Sequence, residues 1–157
     1  MFDLQTYTLF HVIISLVGIF SGLVVAGGLM ANARFDRWTA IFLFTTVLTS
    51  VTGFGFPFTT VLPSHVVGGV SLVVLLVAVI ARYLKNMTGG WRWIYVASAI
   101  AALWLNAFVL LAQLFVRVPA LNALGPTPKD PAFALTQLFV LLFFIVIWRL
   151  AARGFRV

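Results

Sequence analysis

Hydrophobic and polar positions alternate along this chain in blocks rather than in single steps. Five apolar runs stand out, near residues 6–30, 38–58, 64–84, 91–116 and 132–150. At about 1.5 Å per residue, each is long enough as a helix to cross a hydrocarbon core of roughly 30 Å. The breaks between them are chemically distinct. Residues 32–37 (Asn-Ala-Arg-Phe-Asp-Arg) form a short charged turn, and Pro57 and Pro63 bound the second break. Thr88-Gly89-Gly90 makes the third, and the stretch from Pro119 to Pro131, with Pro126 and Pro128 inside it, is the only long loop expected. The pattern predicts an all-α, polytopic membrane helix bundle of five transmembrane helices in a single domain, residues 1–157, with sequential helices as antiparallel neighbours.

Composition reinforces this pattern. Hydrophobic residues make up 63% of the 157 and charged residues only 8%, with a mean hydropathy of +1.16. A soluble domain carries roughly 25% charged residues, and one of this size leaves too much surface in water to hide so apolar a chain. The first run is not expected to be a cleavable signal peptide, since it has no basic leader, starts beside acidic Asp3 and is too long.

The formal charge of +7 acquires meaning from its placement. Arg34, Arg37, Arg82, Lys85, Arg92, Arg149, Arg153 and Arg156 fall on one side of a five-helix topology, and only Arg117 and Lys129 on the other. The positive-inside rule then puts the N-terminus outside and the C-terminus in the cytoplasm of a bacterial-type inner membrane. Trp38, Trp91, Trp93 and Trp148 map to the same cytoplasmic boundary, where amphipathic rings settle. The basic residues thus report topology and do not imply a nucleic-acid partner. The lipid bilayer is the expected partner, with further membrane subunits or a homo-oligomer as additional ones.

Small and hydroxyl residues mark packing faces. Gly18, Gly22 and Ala26 repeat every four residues, a ladder that admits a neighbouring backbone. In the second run, Thr45, Thr49 and Thr52 form one row and Thr46, Ser50 and Gly53 another, hydroxyls expected to bond back to their own helix. Ser64 is expected to cap the third helix.

Polar side chains are costly at membrane depth and tend to face an interior site. Asn106, Gln113 and Arg117 lie at spacings of seven and four, on one face of the fourth run, below Ser98. Gln137 enters near the outer end of the fifth, and the only two histidines, His11 and His65, fall near the outer ends of the first and third. These groups are expected to converge on the outer half of the bundle, with no comparable cluster in the inner half. Two imidazoles at matching depth suit the axial positions of a b-type haem, with nearby glycines admitting the macrocycle and Arg117 pairing with a propionate. The same pair also suits another imidazole-loving metal.

Two other readings compete with a haem- or redox-cofactor-binding subunit for electron transfer. In one, the polar residues are interhelical ties in a non-catalytic structural or assembly subunit. In the other, the chain is a small-molecule carrier, which calls for charged groups along a path through the membrane. Catalysis is not expected, because there is no Ser–His–Asp set, no H-E-x-x-H and no phosphate-binding glycine loop. The chain has no cysteine, which removes disulfides, thiolate metal sites and iron–sulfur clusters. Leu105-Asn106-Ala107-Phe108, with Val118-Pro119-Ala120-Leu121 and Gly125-Pro126-Thr127, resembles small bacterial integral membrane proteins of unassigned function. That resemblance implies a membrane location and no particular activity.

Overall fold

A computed structural model of the chain describes residues 3–57 and 63–156, and every regular element among them is helical. The elements are α1 (Leu4–Met30), α2 (Asp36–Gly53), α3 (Pro63–Val79), α4 (Trp91–Arg117), the single turn α5 (Pro119–Asn122) and α6 (Pro131–Gly154). A π-helical turn, Ile80–Leu84, continues α3. Among the described residues, four helical stretches are long and apolar enough to cross a membrane: Leu4–Met30, Pro63–Leu84, Trp91–Arg117 and Pro131–Gly154. Their outward side chains are apolar as well, with Phe139 72% and Leu76 58% exposed, and so is Phe44 of α2 at 68%. A helix that is apolar all round needs an apolar surround, so this is the bundle of a membrane protein.

The helix ends follow local chemistry. α1 stops at Ala31, after which Asn32 takes a left-handed φ of 56°, a conformation asparagine tolerates better than most side chains. Asp36 then sits in the first turn of α2, where a carboxylate meets the positive end of the helix dipole. α4 gives way to extended backbone at Val118, the residue before Pro119, because proline disfavours the α region for its predecessor. Pro131 opens α6 at a position whose N–H has no intrahelical acceptor.

Four expected boundaries change, one of them at the last helix, which runs on to Gly154 rather than ending near residue 150. The second run is helical only to Gly53, not to residue 58; Phe54-Gly55-Phe56 turns away ahead of Pro57, and residue 58 lies outside the described residues. Ser64 is not a cap, since the third helix already includes Pro63. The long loop is not wholly irregular, because α5 forms within it, started by Pro119.

Sequential helices pack as neighbours, and α4 lies at the centre, against α1, α2, α3 and α6. α2 stands between α1 and α3, which do not touch each other among the described residues. The core is built on the small-residue ladder of α1. A Cβ added to Gly22 would lie 2.6 Å from Leu103 Cδ1 and 2.8 Å from Phe42 Cε2. α1 therefore sits one methyl group closer to α2 and α4 than any other residue would allow. Further along the same half of α1, at its C-terminal end, Gly154 lets α6 run against the Met30 carbonyl, and Phe155 is buried beyond it.

Candidate functional site

The polar residues of α1, α2 and α4 form a seam that starts at the end of the bundle carrying the first turns of α1. Tyr7 donates its hydroxyl to the Thr52 carbonyl at 2.6 Å. One turn on, His11 Nδ1 lies 2.8 Å from Thr52 Oγ1. That hydroxyl is 2.8 Å from the Leu48 carbonyl, a pure acceptor, so its one proton points there. It must therefore accept from the imidazole, which places the ring proton on Nδ1 and leaves the lone pair on Nε2. Phe56 stands edge-on to both Tyr7 and His11, at 5.0 and 5.1 Å between ring centroids.

Deeper in the seam, Ser15 donates to Asn106 Oδ1 at 3.1 Å, joining α1 to α4. Gly18 makes a notch here: an added Cβ would lie 3.1 Å from Asn106 Nδ2 and from Thr46 Oγ1, and 3.2 Å from Thr45 Oγ1. Thr45, Ser50 and Thr52 bond back to their own helix as expected. Thr46 and Thr49 do not, and with Asn106 Nδ2 they are buried polar atoms with no partner among the described residues. Such atoms cost free energy where they stand, and the seam is closely packed around them, since even one methyl group on Gly18 would crowd Asn106 and Thr46. Phe42 and Leu103 close the seam one turn further on, across Gly22.

The sequence-predicted site residues do not share one place. His11 and Asn106 belong to the seam. His65 lies on the far side of α2, half-buried, its ring tilted against Phe54 at 5.6 Å. Gln137 reaches from α6 to the Phe108 carbonyl of α4 at 3.2 Å, and its Oε1 has no partner among the described residues. Arg117 donates through Nε to Gln113 Oε1 at 3.1 Å, and both are exposed. Of the two glycines beside His65, Gly68 receives the Phe54 ring, 3.3 Å from where its Cβ would be, whereas Gly69 has no atom within 4 Å of that point. Among the described residues, no three His, Asp or Glu side chains gather as a metal site.

A second cluster, at the opposite end of the bundle, corrects the expectation that this half holds none. Arg82, placed on the rim by its sequence position, is buried and ion-paired to Asp36 of α2, with Nη1 3.8 Å from Met87 Sδ. Its guanidinium lies 5.1 Å from the ring centroid of fully buried Tyr95 and 5.7 Å from that of Tyr83. Two backbone irregularities aim it there. Arg82 is the middle residue of the π turn, where the wider winding rotates its side chain off the face that a continuous α-helix would give it. Met87 follows with a left-handed φ of 57°. The only advance signal is a match of lengths: Asp36 opens the second helix and Arg82 nears the end of its antiparallel neighbour, which puts both at the same depth.

No protein family, curated protein or solved structure matches this chain. The class that fold and site define is therefore a physical one, an all-α membrane bundle with a polar seam at one end and a buried ion pair at the other.

Proposed function

We propose that the chain is a five-span protein of a bacterial-type inner membrane, N-terminus outside and C-terminus cytoplasmic, that binds a b-type haem or related redox cofactor through His11. The observation that carries this reading is the hydrogen bond from His11 Nδ1 to Thr52. Metal-bound histidines characteristically donate their second ring N–H to a fixed acceptor, which sets the tautomer and the ring orientation. His11 has that anchor, and its Nε2 has no hydrogen-bond partner among the described residues. When bound, the group would supply one-electron chemistry. The chain supplies the imidazole, its orientation through Thr52, and the Phe56 ring edge-on beside it. For His65 to reach the same group, the Phe54 ring has to leave it.

α2 supports the five-span count. Its 18 residues rise about 27 Å, close to the hydrocarbon thickness, and hydroxyls that bond to their own carbonyls lower its cost in lipid. The orientation rests on the eight basic residues at the Arg82 end against Arg117 and Lys129 at the other. Labelling of single cysteines tests it: Thr127→Cys reacts in intact cells, and Gly89→Cys only after the membrane is breached.

The cofactor test is the absorption spectrum of the detergent-purified protein. A Soret band is expected, abolished in His11→Ala and retained in Thr52→Val with affinity about 10- to 100-fold weaker. His65→Ala separates one-histidine from two-histidine ligation by the spin state of the iron. Absence of a Soret band, or a band indifferent to His11→Ala, removes the reading. A second reading, an assembly subunit, is favoured by the polar ties that cross between helices: Ser15 to Asn106, Ser50 to Ser71 at 3.2 Å, and Gln137 to Phe108. Each is worth about 0.6 kcal/mol in a membrane. Under that reading the protein is colourless and co-purifies with a stoichiometric partner.

A further inference from the structure

Two grooves lie along the contact between α4 and α6, and they share helix faces. The first, about 730 Å³, is at the Arg82 end of the bundle and is lined by Arg92 and Trp93 of α4, by Arg153 and Arg156, and by the Thr88–Gly89 turn. The second, about 200 Å³, is lined wholly by Ala, Ile, Leu, Phe and Trp side chains of the same two helices, from Ala97 to Trp104 and from Leu141 to Trp148. Trp93 and Ala97 are four apart on α4, and Trp148 and Ala152 four apart on α6, so each helix presents one continuous stripe to both grooves. The basic groove is thus continued into the bundle by an apolar one.

The basic groove is organised rather than merely charged. Arg92 donates to the Phe155 carbonyl, and its guanidinium lies 4.2 Å from the Trp93 ring centroid, which holds it in the groove. The buried Phe155 and the bond from the Arg156 amide to Asn32 Oδ1, at 2.7 Å, pin the tail that brings Arg156 alongside. None of the chain's three acidic side chains, Asp3, Asp36 and Asp130, lines it. α4 also starts here, pointing the positive end of a 27-residue helix at the groove. From Trp93 to Trp104 the helix rises about 17 Å, which matches one leaflet of a hydrocarbon core of roughly 30 Å.

We infer that this cleft binds an anionic phospholipid, its phosphate held by Arg92, Arg153 and Arg156 and an acyl chain laid along Ala97, Ala101 and Trp104. Guanidinium groups match phosphate oxygens in pairs, and basic pockets at the cytoplasmic end of membrane helices are suited to such headgroups. The inference rests on the proposed orientation and on α4 and α6 crossing a bilayer, and does not depend on the His11 site.

The test uses the full chain in phosphatidylcholine nanodiscs containing a minor fraction of phosphatidylglycerol, with lipid retained after delipidating washes read by native mass spectrometry. Wild type retains phosphatidylglycerol selectively. Arg153→Gln/Arg156→Gln is expected to bind it roughly 30-fold more weakly, from about fivefold per basic residue near the headgroup. Arg153→Lys/Arg156→Lys keeps the charge and guards against a folding defect. Arg34→Gln/Arg37→Gln removes as much charge from the same rim outside the groove and leaves retention unchanged. Ala101→Phe, which fills the apolar groove, weakens lipid retention while leaving binding of inorganic phosphate alone unaffected. If inorganic phosphate protects the arginines from chemical modification but no lipid is retained, the phosphate chemistry stands and the lipid is overturned. Equal loss in the Arg34/Arg37 control, or no selective retention by wild type, overturns the site altogether.

Discussion

Replacing Asp36 by Asn tests how the bundle tolerates a buried guanidinium. The Arg82 side chain is 5% exposed, whereas that of Asp36 is 73% exposed. Breaking a fully buried pair by removing one partner costs about 3–5 kcal/mol, because the other charge is left uncompensated, whereas a surface pair is worth about 0–1 kcal/mol. This pair is mixed. The charge left behind is the buried one, but the carboxylate that is lost was largely hydrated, which places the expected cost near 2 kcal/mol. Tyr95 and Tyr83 remain under the cation and soften the loss by about 0.5–2 kcal/mol of cation–π attraction. Arg82→Met should cost less than Asp36→Asn, because it leaves no orphaned buried charge and its thioether fills much of the same volume. The double variant should recover about 1–2 kcal/mol relative to additivity. Reversible unfolding in mixed micelles, by titration with a denaturing detergent, reads all three. A cost for Asp36→Asn below about 0.5 kcal/mol, or strict additivity in the cycle, would refute the claim that this pair neutralises a buried charge.

Two further outcomes follow from local geometry. Gly22→Ala forces a methyl group against Leu103 and Phe42, both 1% exposed and unable to swing away, and should cost about 1–3 kcal/mol by overpacking. Gly27→Ala, on the same helix with nothing within 4 Å, should instead stabilise by up to about 1 kcal/mol through helix propensity; equal effects at the two sites would show that Gly22 does not set the helix spacing. In the loop before α6, the Asp130 carboxylate accepts from Thr127 Oγ1 at 2.6 Å and from the Thr127 amide at 2.8 Å, which hold it below the ordinary value of 3.8. Its contribution to the turn is complete above that value and is lost as pH falls through the lowered one. The Thr127 amide resonance should therefore titrate with a midpoint under 3.8 and lose that titration in Asp130→Asn.

The membrane character of the chain, the five helical segments and the tight face of α1 were legible in the residues alone. Each depends on local composition and period: long apolar runs, broken by proline, glycine or charge, have few other ways to satisfy their backbone in lipid. The back-bonding of Thr45, Ser50 and Thr52 followed from hydroxyl chemistry within one helix. The grouping of the polar residues did not follow, because helical period says which residues share a face but not which way that face turns. Helical period groups Asn106 with Gln113 and Arg117, yet α4 buries Asn106 against Ser15 and leaves the other two as an exposed pair. His11 and His65 match in depth but lie on either side of α2, and only the packing order of α1, α2 and α3 decides that. Arg82 departs furthest from its place in the pattern. A π turn displaces a residue by a fraction of a helical turn, too little to disturb the hydrophobic pattern but enough to move a guanidinium from the rim into the bundle beside Asp36. Hydrophobic pattern by itself determined that the chain forms apolar membrane helices and where most of them start and stop. Tertiary structure decided which polar groups meet, because rotation about each helix axis is set by side-chain packing between helices and leaves no mark in any one of them.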